Sequence, residues 1–153
     1  MDVRPAMEMS AAEVDEFLGR HGVGVLALAN DGEAYALPMS YGYDGGDRFV
    51  GLQFAHAPWS RKREFVDTTE TACFVVHETD DDLSAQSVVV QGRLEHVSDD
   101  ELDEAFAALA DNAVFTALHE AGVPIEEADL ELFWLKPQSL AGRKFDLDAA
   151  LRD

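Results

Sequence analysis

Residues 23–43 read VGVLALANDGEAYALPMSYGY, and their pattern decides the fold class. Val23 to Asn30 is a short apolar run between Gly22 and Asp31-Gly32, which predicts a strand. An Asp-Gly pair between two such runs is a strong hairpin signal, because a type I′ turn needs positive φ at both central residues. Glu33 to Tyr43 is then the return strand. Pro38 inside it predicts an edge or a bulge, since proline donates nothing to a ladder.

Upstream of the hairpin, Ser10-Ala11-Ala12-Glu13 is a capping box. It predicts a helix through Arg20 with Val14, Phe17 and Leu18 on one face. Downstream, Asp44-Gly45-Gly46-Asp47 turns the chain into a third strand, Arg48 to Phe54. A helix is expected from Pro58 to Asp67, and a fourth strand from Thr71 to Glu78. The acidic loop Thr79 to Leu83 leads to a long fifth strand, Ala85 to Val97, in which Gly92 marks a bulge or bend. Ser98-Asp99-Asp100-Glu101 reads as a second capping box opening a helix to Ala110, and a further helical stretch spans Ala113 to Ala121. Leu130 to Leu135 is a sixth strand stopped by Pro137, and Ala141 to Phe145 extends the sheet. The pattern predicts a mainly β fold with peripheral helices, one domain over residues 1–153. An antiparallel barrel of roughly six strands is favoured over an open sheet, because closure removes exposed edges.

Composition bounds the function. The 153 residues carry 31 Asp and Glu against 11 Lys and Arg, for a formal net charge of −20. Such a surface has no basic face to displace counterions, which excludes general nucleic-acid binding. The acid-rich, lysine-poor balance suggests a halophilic host, where salt screens self-repulsion. The 47% hydrophobic content is that of a chain with a real core. No apolar run approaches the ~18 residues of a membrane span. The first residues, Met1-Asp2-Val3-Arg4-Pro5, offer no signal peptide, so a cytoplasmic location is expected. Cys73 is the one cysteine, in the apolar run Ala72-Cys73-Phe74-Val75-Val76. The histidines at 21, 56, 77, 96 and 119 show no metal-ligand spacing, so no metal is expected.

Against this background Arg61-Lys62-Arg63 stands out. It follows Pro58-Trp59-Ser60 at the start of a helix, where cations oppose the macrodipole. A bound phosphate would reconcile the arrangement, meeting free backbone N–H groups and cationic side chains together. The plainer alternative is an amphipathic helix that exposes three cations and buries Trp59 and Phe65. P-loop, dinucleotide-fingerprint, nucleophile-elbow and zincin motifs do not occur.

Taken in order, these segments resemble the FMN-binding split-barrel family, the relatives of pyridoxamine 5′-phosphate oxidase. The residues that carry the likeness are Val23-Gly24-Val25-Leu26-Ala27, Tyr35 to Tyr41, Ser60-Arg61-Lys62, Ala72 to Val76, Gln86 to Arg93, and Leu132-Phe133-Trp134-Leu135-Lys136-Pro137. The resemblance implies a homodimer with FMN at the subunit interface. It implies that Arg61 and Lys62, with Ser60, hold the flavin phosphate. Leu37, Pro38, Met39, Ser40 and Tyr41 would flank the isoalloxazine. Gln53, Phe54 and Ala55 would lie beside the ribityl phosphate, and Gln86 or Ser87 would bond the flavin. Trp59 stands where relatives often have a small residue. Gly142-Arg143-Lys144 lacks the substrate-binding arginine-histidine segment of the strict oxidase, so the chain looks more like the small flavoproteins grouped with nitroimidazole-resistance proteins. The leading expectation is a flavin-dependent oxidoreductase of a small cytoplasmic molecule, with the catalytic residues unknown. A split barrel using deazaflavin or haem, with His56 as a candidate axial ligand, stays open, as does a non-catalytic flavin-binding sensor or stress protein.

Overall fold

The computed structural model describes residues 7–45, 49–54, 61–80, 84–112 and 130–146. The elements are β1 (Met7–Glu8), α1 (Ala11–Arg20), β2 (Val23–Asn30), β3 (Glu33–Tyr43), β4 (Phe49–Phe54), α2 (Arg61–Thr68), β5 (Ala72–Thr79), β6 (Ser84–His96), α3 (Leu102–Asn112) and β7 (Leu130–Asp146). All pairings are antiparallel, in the order β1-β7-β4-β3-β2-β5-β6. In addition β6 pairs with β7, so six strands follow one another around a barrel. The wall is split rather than uniform. The β3–β4 ladder spans only Tyr41–Tyr43 against Phe49–Gly51, and β2–β5 only Val25–Ala27 against Cys73–Val75.

The hairpin forms as the sequence predicts. Asp31 and Gly32 both have positive φ, at 52° and 83°, and β2 and β3 pair from Asn30↔Glu33 to Val23↔Ser40. Alternation then sorts each strand, with Leu26, Leu28, Phe74, Val76, Val88 and Val90 buried inside the barrel. The first capping box also forms, with Glu13 N donating to Ser10 Oγ at 3.2 Å and Ser10 N to Glu13 Oε1 at 3.0 Å. It starts α1, whose Val14, Phe17 and Leu18 enter the core. Tyr41 is 1% exposed and its hydroxyl donates to Leu18 O at 2.7 Å, tying β3 to the end of α1. Tyr41→Phe removes a buried donor and is expected to lower unfolding free energy by about 1–2 kcal/mol, read as a lower urea midpoint at unchanged slope.

Three expectations need correction. Ser98 makes no side-chain cap; its hydroxyl meets Glu101 Oε1 at 3.0 Å instead. The Glu101 N–H already donates to Ser98 O at 2.9 Å in a 3₁₀ turn over Asp99–Glu101, so α3 begins only at Leu102. Pro137 does not stop a strand, because β7 runs unbroken from Leu130 to Asp146. Pro137 sits opposite Gly92 where the β6–β7 register shifts, and the missing Cβ of Gly92 leaves room for Lys136 O. The two-residue β1, which pairs Met7↔Lys144 and Glu8↔Arg143, was not expected at all. The expected helix over 113–121 and the helix start at Pro58 lie outside the described residues.

Helix α3 covers part of the outer wall. Ala105, Ala108 and Leu109 pack on Leu132 and Trp134 in a second buried cluster. Gly42 lets the helix backbone approach β3, since a Cβ there would lie 2.4 Å from Ala108 C.

Candidate functional site

Beyond Tyr41, residues 37–40 of β3 pair with β2 alone, while Leu52, Gln53 and Phe54 of β4 pair with β7 alone. The two strands therefore part at the stretch that the sequence marks for the cofactor. Pro38 lies on this open side, as an edge proline should. Helix α2 is fixed next to the parting. Phe65 stacks on Tyr35 with ring centroids 5.2 Å apart, and Ala29 N donates to Thr69 Oγ1 at 3.3 Å. Val66 of α2 lines one apolar cavity with Met39 of β3 and Gly51 of β4. The fold thus brings Tyr35 and Met39 of β3 and Gly51 of β4 to the middle of the helix that begins at Arg61. Ser60 and Ala55, with Trp59 and His56, lie outside the described residues.

The apolar cavity among the described residues is too small for a flavin. The cavity within the barrel measures about 30 Å³ and is lined by Leu26, Phe74, Phe133 and other apolar groups. That is roughly the volume of one water, whereas ligand pockets run to several hundred Å³. Leu37, Met39 and Tyr41 point inward and pack with the core. The Tyr41 hydroxyl is engaged by Leu18 O and its N–H by Gly22 O at 2.9 Å, so it serves the core and not a ligand. Pro38 and Ser40 alternate to the outer face.

That outer face is unusual for this chain. Residues opposite one another in adjacent strands share a face, so the register defines rows across the sheet. One row runs Pro38, Val25, Val75, Val89, Ala141. The next runs Ala36, Ala27, Cys73, Gln91, Ser139. On the other side lie Ser40 opposite Val23, and His77, Ser87 and Arg143 in register. None of these residues is an Asp or Glu, although the chain holds 31; the row through Arg143 ends on Glu8 of β1. Val23 and Val89 are 48% and 38% exposed there.

Gln86 and Ser87 are not beside Leu37 to Tyr41 within one chain. Three strand spacings separate β3 from β6, or about 14 Å. Ser40 and Ser87 nevertheless sit on the same face, and His77 and Arg143 flank Ser87. No local motif marks His77 or Arg143; only the register between distant strands exposes them.

Electrostatics sorts the described cations. Lys144 donates to Glu13, Lys136 lies 2.7 Å from Glu95, and Arg20 lies 3.4 Å from Glu78. The Lys144 hydrogen bond, helped by that from Ser10 N, holds the Glu13 carboxyl below its ordinary value. Arg93 and Arg143 have no carboxylate partner among the described residues. No group of His, Cys, Asp and Glu among the described residues could hold a metal ion. No helix among them is long and apolar enough to cross a membrane.

Comparison with known proteins agrees with this architecture. Residues 10–144 match the family model described as pyridoxamine 5′-phosphate oxidase. No curated protein matches the chain at a significant level. Among solved structures, an FAD-binding protein from Mesorhizobium loti is similar at a TM-score of 0.73 and 23% identity, covering 94% of this chain and 100% of its own. A candidate 5-nitroimidazole antibiotic resistance protein from Bacteroides thetaiotaomicron is similar at 0.70 and 13% identity, covering 92% and 88%. An FAD and heme binding protein from Mycobacterium smegmatis is similar at 0.67 and 21% identity, covering 94% and 77%. At these identities the likeness between structures is one of fold, a mainly β split barrel.

Proposed function

The chain belongs to the pyridoxamine 5′-phosphate oxidase family, and from that premise we propose that it is an FMN-binding flavoprotein. In this reading it is a homodimeric oxidoreductase of a small cytoplasmic molecule. The observation that carries the reading is the parting of β3 from β4 beside the start of α2. Leu37 to Ser40 keep an edge that β4 does not cover, and α2, which begins with Arg61-Lys62, packs on the same strands through Phe65 and Val66. FAD binding by the Mesorhizobium and Mycobacterium proteins supports a flavin, and the choice of FMN rests on the family resemblance.

The residues present fit such a group. Arg61 and Lys62 bring positive charge to a helix N-terminus, where backbone N–H groups also face an anion. The backbone of Leu37 to Ser40 pairs with β2 alone, so β4 leaves its other side for a ligand. The flavin, when bound, supplies the electron-accepting chemistry. The protein's part is to grip the phosphate, present a strand edge to the ring, and limit solvent on one side. Titrating FMN into the protein while following flavin fluorescence tests the reading. Saturable quenching supports it, and its absence sinks it.

The face, acid-free from Pro38 to Ala141 and from Ala36 to Ser139, supports the dimer. Two chains of net charge −20 repel strongly, and they meet at least cost where carboxylates are absent and valines are exposed. Docking through that face would also bring Ser87 of one copy toward the β3 edge of the other, closing the separation of about 14 Å that one chain leaves open. Val89→Glu places a carboxylate in the middle of the apolar row. It is expected to raise the dimer dissociation constant by about tenfold or more, since burying an unpaired charge costs several kcal/mol. Sedimentation of the variant as a dimer at wild-type concentrations would refute this face as the interface.

A haem reading is favoured by one observation, the similar M. smegmatis protein that binds FAD and heme. It needs an axial ligand, and His56 lies outside the described residues. A visible spectrum separates haem from flavin directly.

A further inference from the structure

We propose that ionic strength gates the flavin site: two copies close their outer faces, and so complete the site, only where salt screens the carboxylates at the margin of those faces. The inference rests on the dimeric flavin reading above and names what regulates it.

The face and its margin differ in charge. Beyond the two acid-free rows, the outer positions include the pair Ala29 and Ala34 and the row Thr79, Ala85, Phe145, again without a carboxylate. Acids stand immediately around them. Asp31 and Glu33 occupy the hairpin tip past Ala29 and Ala34, Asp80 follows Thr79, and Glu8 closes the row through Arg143. All four are exposed. When one face covers another, the margins meet as well, and carboxylates of the two copies approach one another. Arg143 is the cation that these rows contribute, one against four.

Salt acts with opposite sign on the two kinds of contact. Attraction between Arg61-Lys62 and a phosphate weakens as salt rises. Repulsion between two chains at −20, and between either chain and a dianionic phosphate, weakens as well. The screening length falls from about 10 Å at 0.1 M to about 3 Å at 1 M. That change removes repulsion acting across open solvent and leaves most of a direct cation–phosphate contact. One chain alone leaves Ser87 about 14 Å from the β3 edge, so losing the dimer opens the site. FMN should therefore bind more tightly as salt rises, the reverse of a simple phosphate clamp.

The test measures two dissociation constants from about 0.1 to 2 M KCl at one fixed protein concentration. Sedimentation gives that of the dimer, and flavin fluorescence gives that of FMN. Far-UV circular dichroism follows the fold at each salt. Both constants are expected to fall together by about tenfold or more over this range. Glu8→Gln with Asp80→Asn should move the transition to lower salt. Asp100→Asn with Asp103→Asn removes the same charge past the far end of β6 and should leave it in place. An FMN affinity that stays level or falls as salt rises, a dimer that persists at low salt, or equal effects of the two double variants would overturn the gate. Loss of the dichroism signal in step with dissociation would overturn it too, because salt would then act on the chain and not on the faces. Salt-driven dimerisation with no FMN bound at any salt would sink the flavin reading and leave the salt-dependent interface standing.

Discussion

Replacing Arg61 and Lys62 together by alanine is expected to weaken FMN binding by about a hundredfold to ten-thousandfold. Each charged hydrogen bond to phosphate is worth about 1.5–3 kcal/mol, and two are removed. The charge effect is sharpened by context, because a chain at −20 repels a phosphate everywhere else. Successive helical residues turn by ~100°, so all three cations cannot face one phosphate equally, and the family resemblance gives that role to Arg61 and Lys62. Arg63→Ala should therefore leave affinity within a few-fold of wild type. The helix itself should survive the double substitution, since Phe65, Val66 and the Thr69 hydroxyl hold it to the barrel. Flavin fluorescence titration reads the result. Wild-type affinity in the double variant would remove Arg61 and Lys62 from the site.

Gly92→Ala is expected to destabilise the fold by about 3 kcal/mol or more, the range in which overpacking cannot relax. A Cβ at this position would lie 2.1 Å from Lys136 O and 2.8 Å from Lys136 C. Both are backbone atoms of the paired strand, so no rotamer change relieves the contact. The β6–β7 ladder must separate, and that ladder joins the two ends of the barrel wall. With urea slopes of about 1–3 kcal/mol/M, the midpoint should fall by roughly 1 M or more. A midpoint within error of wild type would show that β7 does not pass Gly92 in this register.

The parts of the fold legible in the sequence are those that depend on near neighbours. Asp31-Gly32 specifies its turn locally, Ser10 and Glu13 cap each other three residues apart, and Val14, Phe17 and Leu18 follow the helical period. Gly92 was legible as a bulge because a glycine within a long β run has few other uses. What it accommodates was not legible, since Lys136 and Pro137 arrive from more than forty residues away in sequence. Hence Pro137 read as a strand end and proved to be a tolerated interruption. Ser98 failed as a capping box for a local reason: a 3₁₀ turn had already used the Glu101 N–H.

The candidate site divides along the same line. Pro38 signals the open edge of β3, and Arg61-Lys62 signals a helix start rich in positive charge, each from adjacent residues. The rows across the outer face are a property of register. Ser87 looks like any strand serine until His77 and Arg143 are set beside it. The two rows free of Asp and Glu likewise emerge only when five strands are laid side by side.

In the proposed reading this barrel binds a flavin at the β3 edge and the start of α2. The visible absorption spectrum of the protein purified from its native host, with the released cofactor weighed by mass spectrometry, tests that claim most directly. The predicted result is the twin absorption bands of an oxidised flavin and the mass of FMN. A Soret band with released haem, or a colourless protein that stays colourless after incubation with FMN, would contradict it.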